Sequence, residues 1–167
     1  MHAYSTADWE SFFAAVTGAA AALTGLLFVA VSINLKYIIE GSTMLRARAA
    51  ETVATLLFVV ICLALALVPQ SVHLLGAEIL VVAVPLFAVT LRNTVTYQRR
   101  NPGSPVYWSV ARIVSSAVAT VPGMLAGISL AARWGGGFYW LVPTALLGIA
   151  GAVYSAWILL VEVVPGA

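Results

Sequence analysis

Residues 11–35 read SFFAAVTGAAAALTGLLFVAVSINL, and they decide the fold. No charge interrupts this stretch, whose helical length of about 37 Å exceeds the ~30 Å hydrocarbon core of a bilayer. A transmembrane helix is predicted. Its distinguishing feature is a heptad-spaced line of minimal side chains, Ser11, Gly18, Gly25 and Ser32, flanked by Ala14, Ala15, Ala21 and Ala22. A helix this thin along one side lets another backbone approach closely, so it reads as a packing helix and not as one that faces lipid.

Composition extends that reading to the whole chain. Of 167 residues, 62% are hydrophobic and only 8% charged, against about 25% charged in soluble domains. Mean hydropathy is +1.03. The chain has room for a membrane bundle and no separate soluble catalytic domain. Residues 1–10 form a short acidic tail without Lys or Arg, so the first apolar run does not read as a cleaved leader. Gly41 is the predicted stop of the first helix, with Ser42 or Thr43 capping the next. A single transmembrane domain over 11–164 is predicted, with helices at about 11–39, 49–68, 77–95, 106–132 and 138–164, and a short end at 165–167. The fold class is an all-α integral membrane helical bundle of five transmembrane helices.

Charge orients it. Lys36, Arg46, Arg48, Arg92, Arg99, Arg100 and Arg112 fall at one end of the predicted bundle, and only Arg133 of the eight basic residues falls at the other. The positive-inside rule then puts the N terminus outside and the C terminus inside. Aromatic residues agree: Trp9, Trp134, Tyr139 and Trp140 mark the outer boundary, and Tyr37, Tyr97, Trp108 and Trp157 the inner one.

Residues able to carry chemistry are few. Glu10, Thr17, Ala21, Thr24, Phe28 and Ser32 share a narrow arc of the first helix at 100° per residue, an arrangement able to line a pore in a symmetric oligomer. Phe28 would be a hydrophobic constriction and Glu10 an outer carboxylate ring. The competing reading is helix packing through Ser11, Gly18 and Gly25, with hydroxyls bonded back to their own helix. The last helix carries a second small-residue surface, Gly148, Gly151, Ala152 and Ser155. Glu51, Arg112 and Glu162 lie just inside the inner ends of three helices, where opposite charges are expected to pair or snorkel. Asn34, at a similar level, is expected to bond across to a neighbour.

Pro85, Pro122 and Pro143 are expected to bend their helices. Cys62 is the single cysteine, so no disulfide is available. His2, Asp8, Glu10, His73 and Glu78 share the outer side and are suitable metal ligands by type, but His73 and Glu78 lack metal-binding spacing and His2 is on the tail; no catalytic triad, P-loop or dinucleotide fingerprint can be assembled. No enzyme, no metal and no cofactor is predicted. A net charge of +2 confined to loops gives no reason to expect nucleic acid. The partners expected are membrane lipid, further copies of the chain in a homo-oligomer, and a larger membrane protein.

Trp9, Phe12-Phe13, GAAAALTGLLFVAVSINL at 18–35, RAAE at 48–51 and Leu67-Val68-Pro69-Gln70 together resemble a family of short bacterial membrane proteins without an assigned function. The resemblance covers about the first 70 residues and implies a bacterial inner (plasma) membrane. Separately, LTGLLFVAVSINL is similar to the pore-lining first helix of Orai calcium channels, which are hexamers of four-span subunits. That likeness implies an ion channel, but this chain has no acidic residue between Glu10 and Glu40 and a fifth predicted span, so a calcium site does not carry over.

Overall fold

The computed structural model describes residues 2–40, 43–100, 103 and 106–163, with side chains for 3–36, 38–40, 46–47, 49–99, 103, 109–110 and 113–157. Two 3-10 turns, His2–Tyr4 and Thr6–Asp8, lead into α1 (Glu10–Ile33), α2 (Leu35–Glu40), α3 (Thr43–Leu67), α4 (Val72–Arg100) and α5 (Val106–Ala132). A further 3-10 turn, Gly137–Trp140, leads into α6 (Leu141–Val163). There is no strand among the described residues. Five helices, all but α2, are long and apolar enough to cross a membrane, so the chain is an all-α multi-pass membrane protein.

The packing order follows from where glycine removes bulk. The α4–α5 pair is the closest in the bundle, α5 also lies on α6, and α6 on α3. A Cβ on Gly76 of α4 would stand 2.5 Å from Ala131 N and 2.6 Å from the Gly127 carbonyl oxygen of α5, so the two backbones touch there. Phe58 of α3 fills the notch at Gly123 of α5, where a Cβ would lie 2.6 Å from its ring. Val59 fills the equivalent notch at Gly148 of α6, which a Cβ would enter at 2.5 Å. Around these contacts Phe58, Val59, Cys62, Leu63, Ile79, Leu130 and Leu141 are fully buried. The buried hydroxyls of Thr94 and Thr120 donate to carbonyls four residues back in their own helices, at 2.8 and 2.7 Å, and that of Thr144 to Trp140 in the turn before α6, at 2.9 Å. Within a bilayer that internal bonding is required, because the surroundings offer no water.

At the end of the bundle where α1 begins, the turn after α5 is stapled by Ser129. Its hydroxyl donates to the Trp134 carbonyl at 2.5 Å and accepts from Gly137 N at 2.7 Å. Gly135, Gly136 and Gly137 all take positive φ (87°, 112° and 53°), which is why three consecutive glycines occur here. Gly137 lies directly beneath Ala3 and Tyr4, so the N-terminal turns are packed down onto this loop. The residues expected to form a tail are therefore structured from the 3-10 turns onward, because Gly137 gives them a seat.

Several boundaries differ from expectation. The first helix does not run unbroken to Ile39: it breaks at Asn34, whose side-chain amide donates to the Ala30 carbonyl at 2.9 Å, and α2 follows. Asn34 thus bonds within its own helix and not across to a neighbour. The helix that holds the second span starts at Thr43, since its polar first turns are helical as well, while the apolar span inside it, Ala49–Leu67, begins where expected. The third helix starts at Val72, five residues earlier than 77, because Ser71 caps it by accepting from Leu74 N at 3.3 Å. It also continues to Arg100, past 95. The final helix proper starts at Leu141, after the 3-10 turn. Pro143 consequently sits in the first turn, where no intrahelical bond is lost, whereas Pro85 and Pro122 lie inside continuous helices. Gly41 and Ser42 lie outside the described residues, as does the Thr43 side chain.

Candidate functional site

One helix stands apart from the rest. Only 11% of the most apolar stretch of α1 is buried, against 39–44% for α3, α5 and α6. α1 leans on α3 and barely touches α6. Its buried residues are Phe13, Ala20 and Leu27, again spaced by seven, with Phe12, Val16, Leu23 and Val31 packed beside them. At the start of the helix Trp9 stacks on Phe13 (centroids 5.9 Å) and meets Tyr139 edge-on (4.8 Å), while Phe13 packs on Phe138 (5.3 Å). At the other end Ile38 of α2 packs with Ala49 of α3 and Val31. The helix is thus pinned at both ends and supported along one line.

The small-residue line lies on the opposite side. At 100° per residue it is about 150° around the helix from the Phe13–Ala20–Leu27 line. Ser11, Gly18 and Gly25 are all exposed, and a Cβ on either glycine would meet nothing within 4 Å. Among the described residues, neither glycine has a neighbour that a side chain there would meet. From Ser11 to Gly25 the outward half of α1 is Ser11, Ala14, Ala15, Gly18, Ala19, Ala21, Ala22 and Gly25, with no side chain larger than serine's. Beyond Gly25 it turns bulky: Leu26, Phe28, Val29 and Ile33 are 54–75% exposed. The i, i+4, i+8 series Ala14, Gly18, Ala22 is a small-x3-small surface that the heptad reading passed over, although its spacing is plain in the sequence.

The six arc residues sit between these two lines. Glu10, Ala21, Phe28 and Ser32 are exposed, whereas Thr17 and Thr24 turn halfway into the bundle. Thr24 donates to the Ala20 carbonyl at 2.7 Å and Ser32 to the Phe28 carbonyl at 2.8 Å. Thr17 Oγ1 is buried and, among the described residues, has no hydrogen-bond partner. An unpaired buried hydroxyl costs about 1–3 kcal/mol, so Thr17→Val, which keeps the shape, is expected to raise the thermal unfolding midpoint in detergent. A fall would mean that the hydroxyl gains a partner in the assembled protein.

Elsewhere the candidates separate. Gly148 and Ala152 are spent inside the protomer, on Val59 and in a cluster with Leu27 and Leu56, while Gly151 has open space and Ser155 is half-buried. Glu51 is half-buried on α3, and the side chains of Arg112 and Glu162 lie outside the described residues, as do those of His2, Tyr37, Arg48, Arg100 and Trp108. No three His, Cys, Asp or Glu side chains gather as metal ligands among the described residues. His73 Nδ1 instead lies 2.7 Å from the Ala131 carbonyl, and Glu78 accepts from Gln70 at 2.8 Å. No family model, curated protein or solved structure matches the chain. The outward half of α1 is therefore the candidate site: a surface without side-chain bulk from Ser11 to Gly25.

Proposed function

We propose that the protein is the subunit of a homo-oligomeric channel or pore for small ions or solutes, lined by α1, in a bacterial plasma membrane with the N terminus outside. One observation carries this: the least buried span turns a surface of uninterrupted small residues away from its own bundle. Lipid contact has no use for such a surface, whereas helix association in membranes depends on it. In a ring, the small residues would meet the neighbouring α1, and the adjoining arc with Glu10, Ala21 and Phe28 would turn toward the axis. The basic end, with Lys36, Arg46, Arg92 and Arg99, supports the orientation through the positive-inside rule.

Removing the constriction tests the pore. Phe28→Ala is expected to raise ion leak from proteoliposomes about tenfold, which needs only about 1.4 kcal/mol off the barrier. Unchanged flux in correctly assembled protein would count against α1 as the lining.

A second reading has its own support. Thr24 and Ser32 use their hydroxyls on carbonyls of α1, which reduces what they offer a permeating ion. In this reading the protein is a non-catalytic subunit or regulator, and the same surface docks a larger membrane protein. Native mass spectrometry separates the two: a closed ring of copies supports the pore, and a clean monomer supports the heterologous partner.

A further inference from the structure

On the other flank of α1, away from the small-residue surface, a groove of about 320 Å³ runs between α1, α3 and α6. Its cause is the near absence of contact between α1 and α6 together with three small side chains, Ala30 on α1 and Ala152 and Ala156 on α6. Leu27 and the buried Leu56 also line it, and it is open to the outside between exposed Leu26, Val153 and Trp157. From Leu23 to Asn34 it extends about 16 Å along the helix, close to half of a ~30 Å hydrocarbon core. The lining is aliphatic except for Asn34, which lies toward the basic end with only Ile38 beyond it, and Trp157, whose indole suits the membrane interface.

That geometry describes a slot one leaflet long, apolar along its length and polar at its foot. At the foot, exposed Lys36 follows Asn34 by two residues. Among the described side chains at this end of the bundle, Lys36, Arg46, Arg92 and Arg99 outnumber Glu40 and Glu51, so the surface favours a negative headgroup. Asn34 uses one amide proton on Ala30 and keeps a second for a phosphate or ester oxygen. We infer that the groove holds one acyl chain of an anionic phospholipid from the leaflet at the basic end, with its headgroup at Asn34 and Lys36. The inference rests on the five membrane-spanning helices and not on the pore, because the slot and the small-residue surface lie on different sides of α1.

The test counts lipid per chain. Purified, partly delipidated protein in mild detergent is mixed with phosphatidylglycerol or phosphatidylcholine at equal molar ratio, and adducts are read by native mass spectrometry. The unmodified chain and Ala150→Leu, which adds bulk on an exposed part of α6 that does not line the groove, are expected to retain one phosphatidylglycerol per chain. Ala156→Leu, which fills the slot, is expected to lower that occupancy at least fivefold. Ala30→Leu fills it from the opposite wall and serves if the first variant fails to fold. Lys36→Gln is expected to bring the two lipids to equal retention. Equal occupancy in the filled and unfilled chains would overturn the site, and equal retention of both lipids by the unmodified chain would overturn the headgroup assignment. Because lipid is counted per chain, the result is the same for a monomer and a ring, and a failed pore reading does not alter it.

Discussion

Gly76→Val is expected to abolish accumulation of folded protein, and Gly76→Ala to lower its stability by about 1–3 kcal/mol. The atoms in the way are backbone, Ala131 N at 2.5 Å and the Gly127 carbonyl oxygen at 2.6 Å from the added Cβ, so no rotamer change relieves the clash. α4 and α5 would have to move apart. The contact is reciprocal, since a Cβ on Gly127 would meet the Gly76 carbonyl oxygen at 2.9 Å. Separation would also stretch the His73–Ala131 hydrogen bond, made three residues away on the same helix. Fluorescence-detected size exclusion and thermal unfolding in detergent read the outcome. A Gly76→Val chain that elutes and melts like the unmodified one would show that the crossing is not tight.

Gly25→Leu should behave in the opposite manner, leaving the protomer intact and removing its association. A side chain at Gly25 meets nothing within 4 Å inside the chain, and replacing a helical glycine by leucine improves helix propensity by somewhat under 1 kcal/mol. The unfolding midpoint should therefore hold or rise. Between chains, leucine would stand where backbones meet, at about 1–3 kcal/mol per interface, or about five- to 150-fold in each association constant. Native mass spectrometry should then show monomers where the unmodified chain gives an assembly, and pull-down of a heterologous partner should fail in the same variant. Association that survives Gly25→Leu would remove the small-residue surface from both functional readings. The pair of substitutions thus separates a glycine that holds the fold from one that the fold leaves open.

The five spans are legible because each is an apolar run long enough to cross a bilayer, a signal that needs no knowledge of packing. What a span faces is not legible in the same manner. Lipid tails are as apolar as a bundle core, so Phe13, buried, and Phe28, exposed, look alike in the sequence. The same ambiguity hid the roles of the glycines: Gly76 falls just outside the helix expected from 77, yet it lies in the second turn of α4 against α5. Gly18 and Gly25 read as close packing positions and are open within the chain. The start of α4 was recoverable from Ser71, a capping residue directly after a proline turn. The break at Asn34 was not, because an asparagine inside an apolar run carries no fixed local meaning; its side chain can equally bond its own helix or a neighbour. The groove depends on α1 and α6, distant in sequence, barely touching, and no local pattern encodes that.

The change of bulk along α1 at Gly25 limits how anything can dock there. Over residues 11–25 a partner helix can come to backbone contact, but over residues 26–33 Leu26, Val29 and Ile33 hold it off. The two axes must therefore diverge toward Asn34. Several such helices around one axis would make a funnel of backbones, narrow where α1 begins and flared at the end that carries Lys36 and Arg46, so that in the wider half the Phe28 side chains, and not the backbones, would form the constriction.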